Sequence, residues 1–248
     1  MKTNIYVIEK ILTYLRGDYN SVVYRFTTIP RERLTLFVYK LFGYSWIDYY
    51  SSRLNKFVVG NNRKLRDGMQ GGDKVGFTFL KNKGLKPNHN FLDFGCGVLK
   101  TGLKLIPYLD KGNYTGLDIS NERLEVGKKE LEKLGINKND YTTFTNKDNS
   151  LREIEDGKTF DFIFLKSVVT HMPLNDFDNL LQSFQKFTQE HSKIFFTFNL
   201  SKKKKKLGVK DFFYTFEEIE LICKKNGFEA NLDKEWPYAD EMVSLKKL

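Results

Sequence analysis

Gly95 and Gly97 flank Cys96 at the end of the apolar run Phe91-Leu92-Asp93-Phe94, and Asp118 closes a second run 21 residues after Gly97. Glycines that end a strand let a ligand approach the backbone closely, and the N–H groups of a following helix favour polar or anionic groups. An acid at the end of the next strand can accept hydrogen bonds from both hydroxyls of a ribose. A ligand-free tight turn would explain the glycines but not Asp118 beyond them. The competing reading is a nicotinamide site, whose Gly-x-Gly-x-x-Gly fingerprint meets Lys100 where the third glycine belongs.

Of the three histidines, only His171 falls near the C-terminal end of an apolar run, Phe160–Leu165. Two roles are open to it. Imidazole titrates near neutral pH and suits a general base for an oxygen nucleophile; equally, it can brace the loop by hydrogen bonding. His89 and His191 read as surface residues. Cys96 stands where a helix N-terminus would stabilise a thiolate, yet its small size alone suits a tight turn. Cys96 and Cys223 are the only cysteines, which provides neither a disulfide framework nor a zinc site and suggests a reducing, cytoplasmic setting. Lys202–Lys206 is either a solvated flap or an attractor of anionic substrate.

The elements that must position these residues alternate. Strands are expected at Asn90–Phe94, Tyr114–Ile119, Tyr141–Phe144, Phe160–Leu165, Ile194–Leu200, Phe228–Leu232 and Met242–Leu245. Helices are expected over Leu99–Leu109, from a Ser120 cap to Leu134, along the face Phe177, Leu180, Leu181, Phe184 and Phe187, and after the Thr215/Glu218 capping box. Such alternation implies a parallel sheet covered on both faces. Residues 1–65 differ in texture, with eight of the 13 tyrosines and helical spacing at Ile5, Ile8, Ile11, Leu12 and Leu15. Further helices are expected over Arg33–Phe42 and Trp46–Val58, with a break at Gly60-Asn61-Asn62. This aromatic N-terminal extension is expected to be a lid over the substrate pocket, with a membrane-surface helix or a dimer contact as alternatives; residues 66–248 form the second unit.

Leu92-Asp93-Phe94-Gly95-Cys96-Gly97 resembles motif I of the class I S-adenosylmethionine-dependent methyltransferases, and Thr115-Gly116-Leu117-Asp118-Ile119-Ser120 resembles their second motif. The resemblance runs from about Lys74 to the end. It implies an α/β, Rossmann-like sheet of seven strands in the order 3-2-1-4-5-7-6, the last antiparallel, with S-adenosyl-L-methionine across the ends of strands one and two. It places Asp93 and Gly95 near the methionine part, lets Gly97 admit the cofactor, assigns the ribose to Asp118 and its neighbour Ile119, and puts Asp148 near the adenine amino group. Lys166 falls in the family's motif IV, Phe164-Leu165-Lys166-Ser167. The Asn/Asp-Pro-Pro-aromatic pattern of base N-methylation is absent there. One departure is Leu99 at the usual third glycine. The Gly-Cys-Gly-x-Leu-Lys form is similar to a bacterial subgroup associated with small-molecule and surface-polysaccharide modification.

The 248 residues carry 41 Lys+Arg against 31 Asp+Glu, a formal charge of +10. The composition is that of a folded chain, not a disordered or collagen-like one, and no apolar run reaches the ~20 residues of a membrane span. Glu9 and Lys10 interrupt the first apolar stretch, which argues against a signal peptide. The basic excess suits a negatively charged partner. The expected activity is O-methylation of a small anionic metabolite or sugar precursor of a surface glycan. A nucleic-acid methyltransferase or RNA-binding protein is the alternative. No metal site is expected.

Overall fold

Short apolar runs bounded by turn residues become the strands of one central sheet. The computed structural model describes residue 26 and residues 28–248; the periodic stretch at Ile5–Leu15 lies outside the described residues. Strands β1 (Phe91–Phe94), β2 (Tyr114–Asp118) and β4 (Phe162–Leu165) are buried along their whole length, as parallel strands covered on both faces must be. With β3 (Tyr141–Thr145) and β5 (Lys193–Leu200) they form a parallel array, β3-β2-β1-β4-β5. Beyond β5 lie β9 (Glu241–Lys247) and then β8 (Phe228–Asp233), both paired antiparallel.

The sheet has nine strands, not seven. The two additional strands, β6 (Lys205–Leu207) and β7 (Asp211–Tyr214), form a hairpin where the lysine run suggested a flap. β5 divides its edge: Ile194–Phe198 pair with β9, whereas Asn199 and Leu200 pair in parallel with β7. Consecutive lysines obscured the hairpin because an edge strand tolerates charge. Two of them set their ammonium groups over aromatic rings, Lys206 Nζ 4.5 Å from the Phe212 centroid and Lys205 Nζ 4.6 Å from that of Phe213.

Helices cover both faces. On one side α6 (Leu174–Phe184) and α7 (Phe216–Lys225) bury Phe177, Leu180, Leu181, Phe184, Ile219 and Cys223 against Leu92, Phe94 and Ile163. On the other, α3 (Lys74–Asn82) and α5 (Asn121–Lys133) bury Phe79, Leu80, Leu124 and Leu131 against Phe91, Tyr114 and Phe162. Ser120 caps α5, and Thr215 and Glu218 form the expected capping box. The helix expected at Leu99–Leu109 shrinks to one turn, α4 (Gly102–Leu105).

α1 (Ile29–Leu41) and α2 (Trp46–Met69) precede the sheet. Ser45 and Asp48 make a reciprocal capping box that fixes where α2 starts. The break expected at Gly60-Asn61-Asn62 is a kink: Asn61 leaves helical geometry (φ −135°, ψ 22°), and the helix continues through the expected unit boundary at 65/66. No helix among the described residues is long and apolar enough to cross a membrane.

Candidate active site

β1 alternates, sending Leu92 and Phe94 to one face of the sheet and Phe91 and Asp93 to the other. At its end the chain must turn sharply above the sheet. Gly95 (φ +73°) and Gly97 (φ +59°) both take the left-handed conformation. A Cβ on Gly95 would overlap Val168 Cγ2, and one on Gly97 would overlap the Arg123 guanidinium. Leu99 occupies the position of the missing third glycine and keeps the glycine conformation, φ +61°. Such a backbone costs a non-glycine residue ~1–2 kcal/mol. Complete burial of its side chain, worth ~1.5–3 kcal/mol, offsets that. Room comes from elsewhere: a Cβ on Gly127 would lie 3.0 Å from Leu99 Cγ, and one on Gly116 would lie 3.3 Å from Leu99 Cδ2.

Asp118 ends β2 directly beside this turn. Its Oδ2 accepts from Gly97 N–H at 2.9 Å and its Oδ1 from Ser120 N–H at 2.9 Å, so the carboxylate is fixed in direction. Arg123, one turn into α5, lies 3.6 Å from Oδ2. Each oxygen keeps further lone-pair capacity for a hydroxyl donor. The carboxylate, the bare turn and the apolar side chains of Leu117 and Ile119 wall one end of a cavity of about 320 Å³. A nucleoside bearing a small charged tail fits this set of groups.

The far wall comes from β4 and its turn. Lys166 pairs with Asp73 at 2.6 Å and stands 5.0 Å from the Tyr238 ring centroid. Asp73 also caps α3 through Gly76 N–H, so one acid ties the turn after β4 to a helix start. Ser167 is held at φ +56°, with its N–H donating to Thr197 Oγ1 at 2.8 Å. The 3-10 turn Val169–His171 then delivers the imidazole. His171 Nδ1 lies 3.0 Å from Asp211 Oδ1 and 3.2 Å from Lys210 O. Burial pushes the Asp211 carboxyl up, but the His171 hydrogen bond and the Lys210 charge outweigh it and hold the group below its ordinary value. Trp46, Ile47, Tyr50, Leu54 and Phe57 of α2 roof the cavity, and the Tyr50 ring is 5.7 Å from that of His171.

Lys166, Ser167 and His171 also border a second hollow of about 500 Å³, lined by Thr170, Asn199, Asp211, Phe213 and Tyr238 among others. The imidazole therefore stands at the seam between an apolar-roofed cavity and an open polar groove.

Of the residues singled out in the sequence, Gly95, Asp118, Ile119, Lys166 and His171 wall the cavity. Gly97 acts from behind through its N–H. Asp93 lies beneath the turn, accepting from Tyr114 Oη–H at 2.7 Å, and complete burial lifts its carboxyl to about 7. Cys96 is buried against the sheet, and its thiol is pushed well above its ordinary value by burial, which suits the turn-filling role. Asp148 is turned outward to the Ser150 N–H and Arg152; Asn146 and Asn149 face the cavity instead. Sequence reasoning missed Asp211, Arg123 and Asp176. Asp176 walls the cavity with a buried Oδ2 that finds no hydrogen-bond partner among the described residues, and burial raises its carboxyl. Only Arg123 had a local signal, its place in the first turn after Asp118.

Residues 92–191 match the family described as "Methyltransferase domain". Magnesium protoporphyrin IX methyltransferase from Synechocystis PCC 6803, solved with bound S-adenosylmethionine, is similar in fold: 15% identity, TM-score 0.54, with 91% of this chain and 94% of that one covered. An S-adenosylmethionine-dependent methyltransferase from Clostridium acetobutylicum gives 15% identity and a TM-score of 0.57, covering 79% of this chain and 98% of that one.

Proposed function

We propose that this chain, an S-adenosylmethionine-dependent methyltransferase, places the methyl group on an oxygen of a small anionic acceptor, with a sugar or phosphorylated sugar precursor of a surface glycan as the class that fits. The observation that carries this reading is His171 at the seam of the two hollows, with Asp211 behind it at 3.0 Å.

The cofactor supplies an electrophilic methyl group on a sulfonium. Asp118 would hold the ribose hydroxyls, Gly95 and Gly97 would admit the methionine portion, and Asp176 offers a buried acceptor to a donor such as the base's amino group. Asp211 accepts from His171 Nδ1–H and so leaves Nε2 as the acceptor atom. Nε2 takes the proton of the acceptor hydroxyl as its oxygen attacks. Lys166, fixed by Asp73, borders both hollows and holds the acceptor's polar groups in line, since much of the rate comes from alignment. Phe213 and Tyr238 give the groove apolar faces beside the polar Thr170 and Asn199, a combination suited to a sugar ring. α2 acts as the lid, keeping water from the methyl group.

A cofactor-consumption screen across sugar nucleotides and small phosphorylated metabolites tests this reading. On the best acceptor, Asp211→Asn should lower turnover and change its pH profile while leaving cofactor affinity unchanged. The charge of +10 favours a nucleic-acid substrate as the second reading. A tight complex with RNA whose affinity falls steeply with salt would support that instead.

A further inference from the structure

α1 is turned inside out for a surface helix. Its only acid, Glu32, points inward and pairs with Arg53 of α2 at 2.9 Å, buried to 8% exposure. One apolar face points outward: Leu34, Phe37 and Leu41 are 62–70% exposed, and Val38 and Phe42 extend the same face, whereas Ile29 and Leu36 are half-buried. At 100° per residue Leu34, Phe37, Val38 and Leu41 fall in one stripe, with Arg33 and Lys40 along one margin and Arg31 along the other. All three cations are exposed.

The basic margin continues off the helix. Lys206 sets its ammonium against the Trp46 and Phe212 rings, and that local desolvation and the charges of Lys40 and Arg33 push it below its ordinary value, so these cations lie close enough to repel one another. Lys206 ends the run Lys202–Lys206, every member exposed, and residues 201–210 contain no acid. Its Nζ sits 4.8 Å from the Trp46 ring, which roofs the cavity. An exposed apolar stripe bordered by cations that pair with no acid among the described residues matches a surface that is apolar inside and anionic at its boundary.

We infer that α1 and the β5–β6 lysines form a docking surface for an anionic lipid membrane, with Leu34, Phe37 and Leu41 entering the acyl boundary and Arg33, Lys40 and Lys202–Lys206 facing lipid phosphates. The surface ends at the Trp46 edge of the cavity, so a docked protein meets acceptors held at the membrane plane.

The test is flotation of the full chain with vesicles of phosphatidylcholine alone and of phosphatidylcholine with 30% phosphatidylglycerol. Binding to the anionic vesicles only is expected. Phe37→Glu with Leu41→Glu should lower it at least about thirtyfold, and Arg33→Glu with Lys40→Glu about tenfold or more. Both variants should keep the wild-type melting temperature and S-adenosylhomocysteine affinity, because the altered side chains are exposed. Absence of binding to anionic vesicles at low salt overturns the proposal. So does binding that survives Phe37→Glu with Leu41→Glu and is matched by an RNA oligonucleotide, which would assign the cations to a polyanion. A vesicle-free dimer abolished by the same pair would assign the stripe to a second copy.

Discussion

Between β1 and β2 the site is held mainly by backbone groups of neighbouring strands. Gly95 and Cys96 N–H both donate to Leu117 O, at 2.7 and 2.9 Å, and Gly97 N–H donates to Asp118 Oδ2. Beyond β4 the site is held by side chains from distant parts of the chain: Lys166 to Asp73, Ser167 N–H to Thr197, His171 to Asp211. The first region needs particular backbone shapes at fixed spacing. The second needs only that an acid, a hydroxyl or a lysine arrive from somewhere. The β1–β2 end thus rests on backbone shape, whereas the far end depends on side chains carried in by separate elements such as the β6–β7 hairpin, which brings Asp211.

If the two regions divide the work in this way, variants should separate binding from turnover. The largest effect is expected at His171. His171→Ala should lower turnover ~10²–10⁴-fold with cofactor affinity nearly unchanged, and the missing rate should follow an apparent pKa near that of imidazole. Near-normal turnover across that range would leave His171 a loop-bracing residue; lost cofactor affinity would merge the two regions.

Asp93 sharpens the comparison through pH. Its folded carboxyl keeps a proton to about 7, whereas the unfolded group releases it near the ordinary value. The folded state therefore binds more protons between those limits, and stability falls as pH rises from about 4 through 7. The loss is on the order of 4 kcal/mol. Asp93→Asn keeps an acceptor for Tyr114 and should flatten that slope in urea midpoints of the cofactor-free chain. Parallel wild-type and variant curves would contradict the burial account.

The smallest effect concerns Leu99. Both Leu99→Ala and Leu99→Gly lose buried leucine, at ~2–5 kcal/mol, but only glycine relieves the left-handed strain. Leu99→Gly should therefore be the more stable of the two by about 1 kcal/mol in denaturant unfolding. The opposite order would mean that the backbone there is not strained.

The same division explains what could be read from the sequence. The parallel array β1–β5 was legible because β1, β4 and β5 are apolar runs bounded by turn residues and the edge strand β3 is rich in β-branched and aromatic residues, and the Ser120 and Thr215 caps mark helix starts through local chemistry. The turn at Gly95 and Gly97 beside Asp118 was legible because a sharp turn after a strand restricts residue type at short range. Asp211 was not, since it lies 40 residues from His171 with no local signal, and its hairpin is hidden among lysines that look like a flap. Asp148 misled for a related reason: Asn149 (φ +57°) and Leu151 (φ +55°) turn the chain after β3 so that Asn146 and Asn149, not the acid, face inward. The helix expected over Arg33–Phe42 was legible as a helix, but not its orientation, which the buried Glu32–Arg53 pair and the exposed Leu34, Phe37 and Leu41 show.

The claim that the β1–β2 region holds the ribose end of the cofactor is tested most directly by calorimetric titration of S-adenosylhomocysteine into the wild-type chain and into Asp118→Ala. The account predicts one site in the wild type and a weakening of ~1–3 kcal/mol in the variant, since charge-assisted hydrogen bonds are lost. Equal affinity in the two folded proteins, or no binding to the wild type, would contradict it.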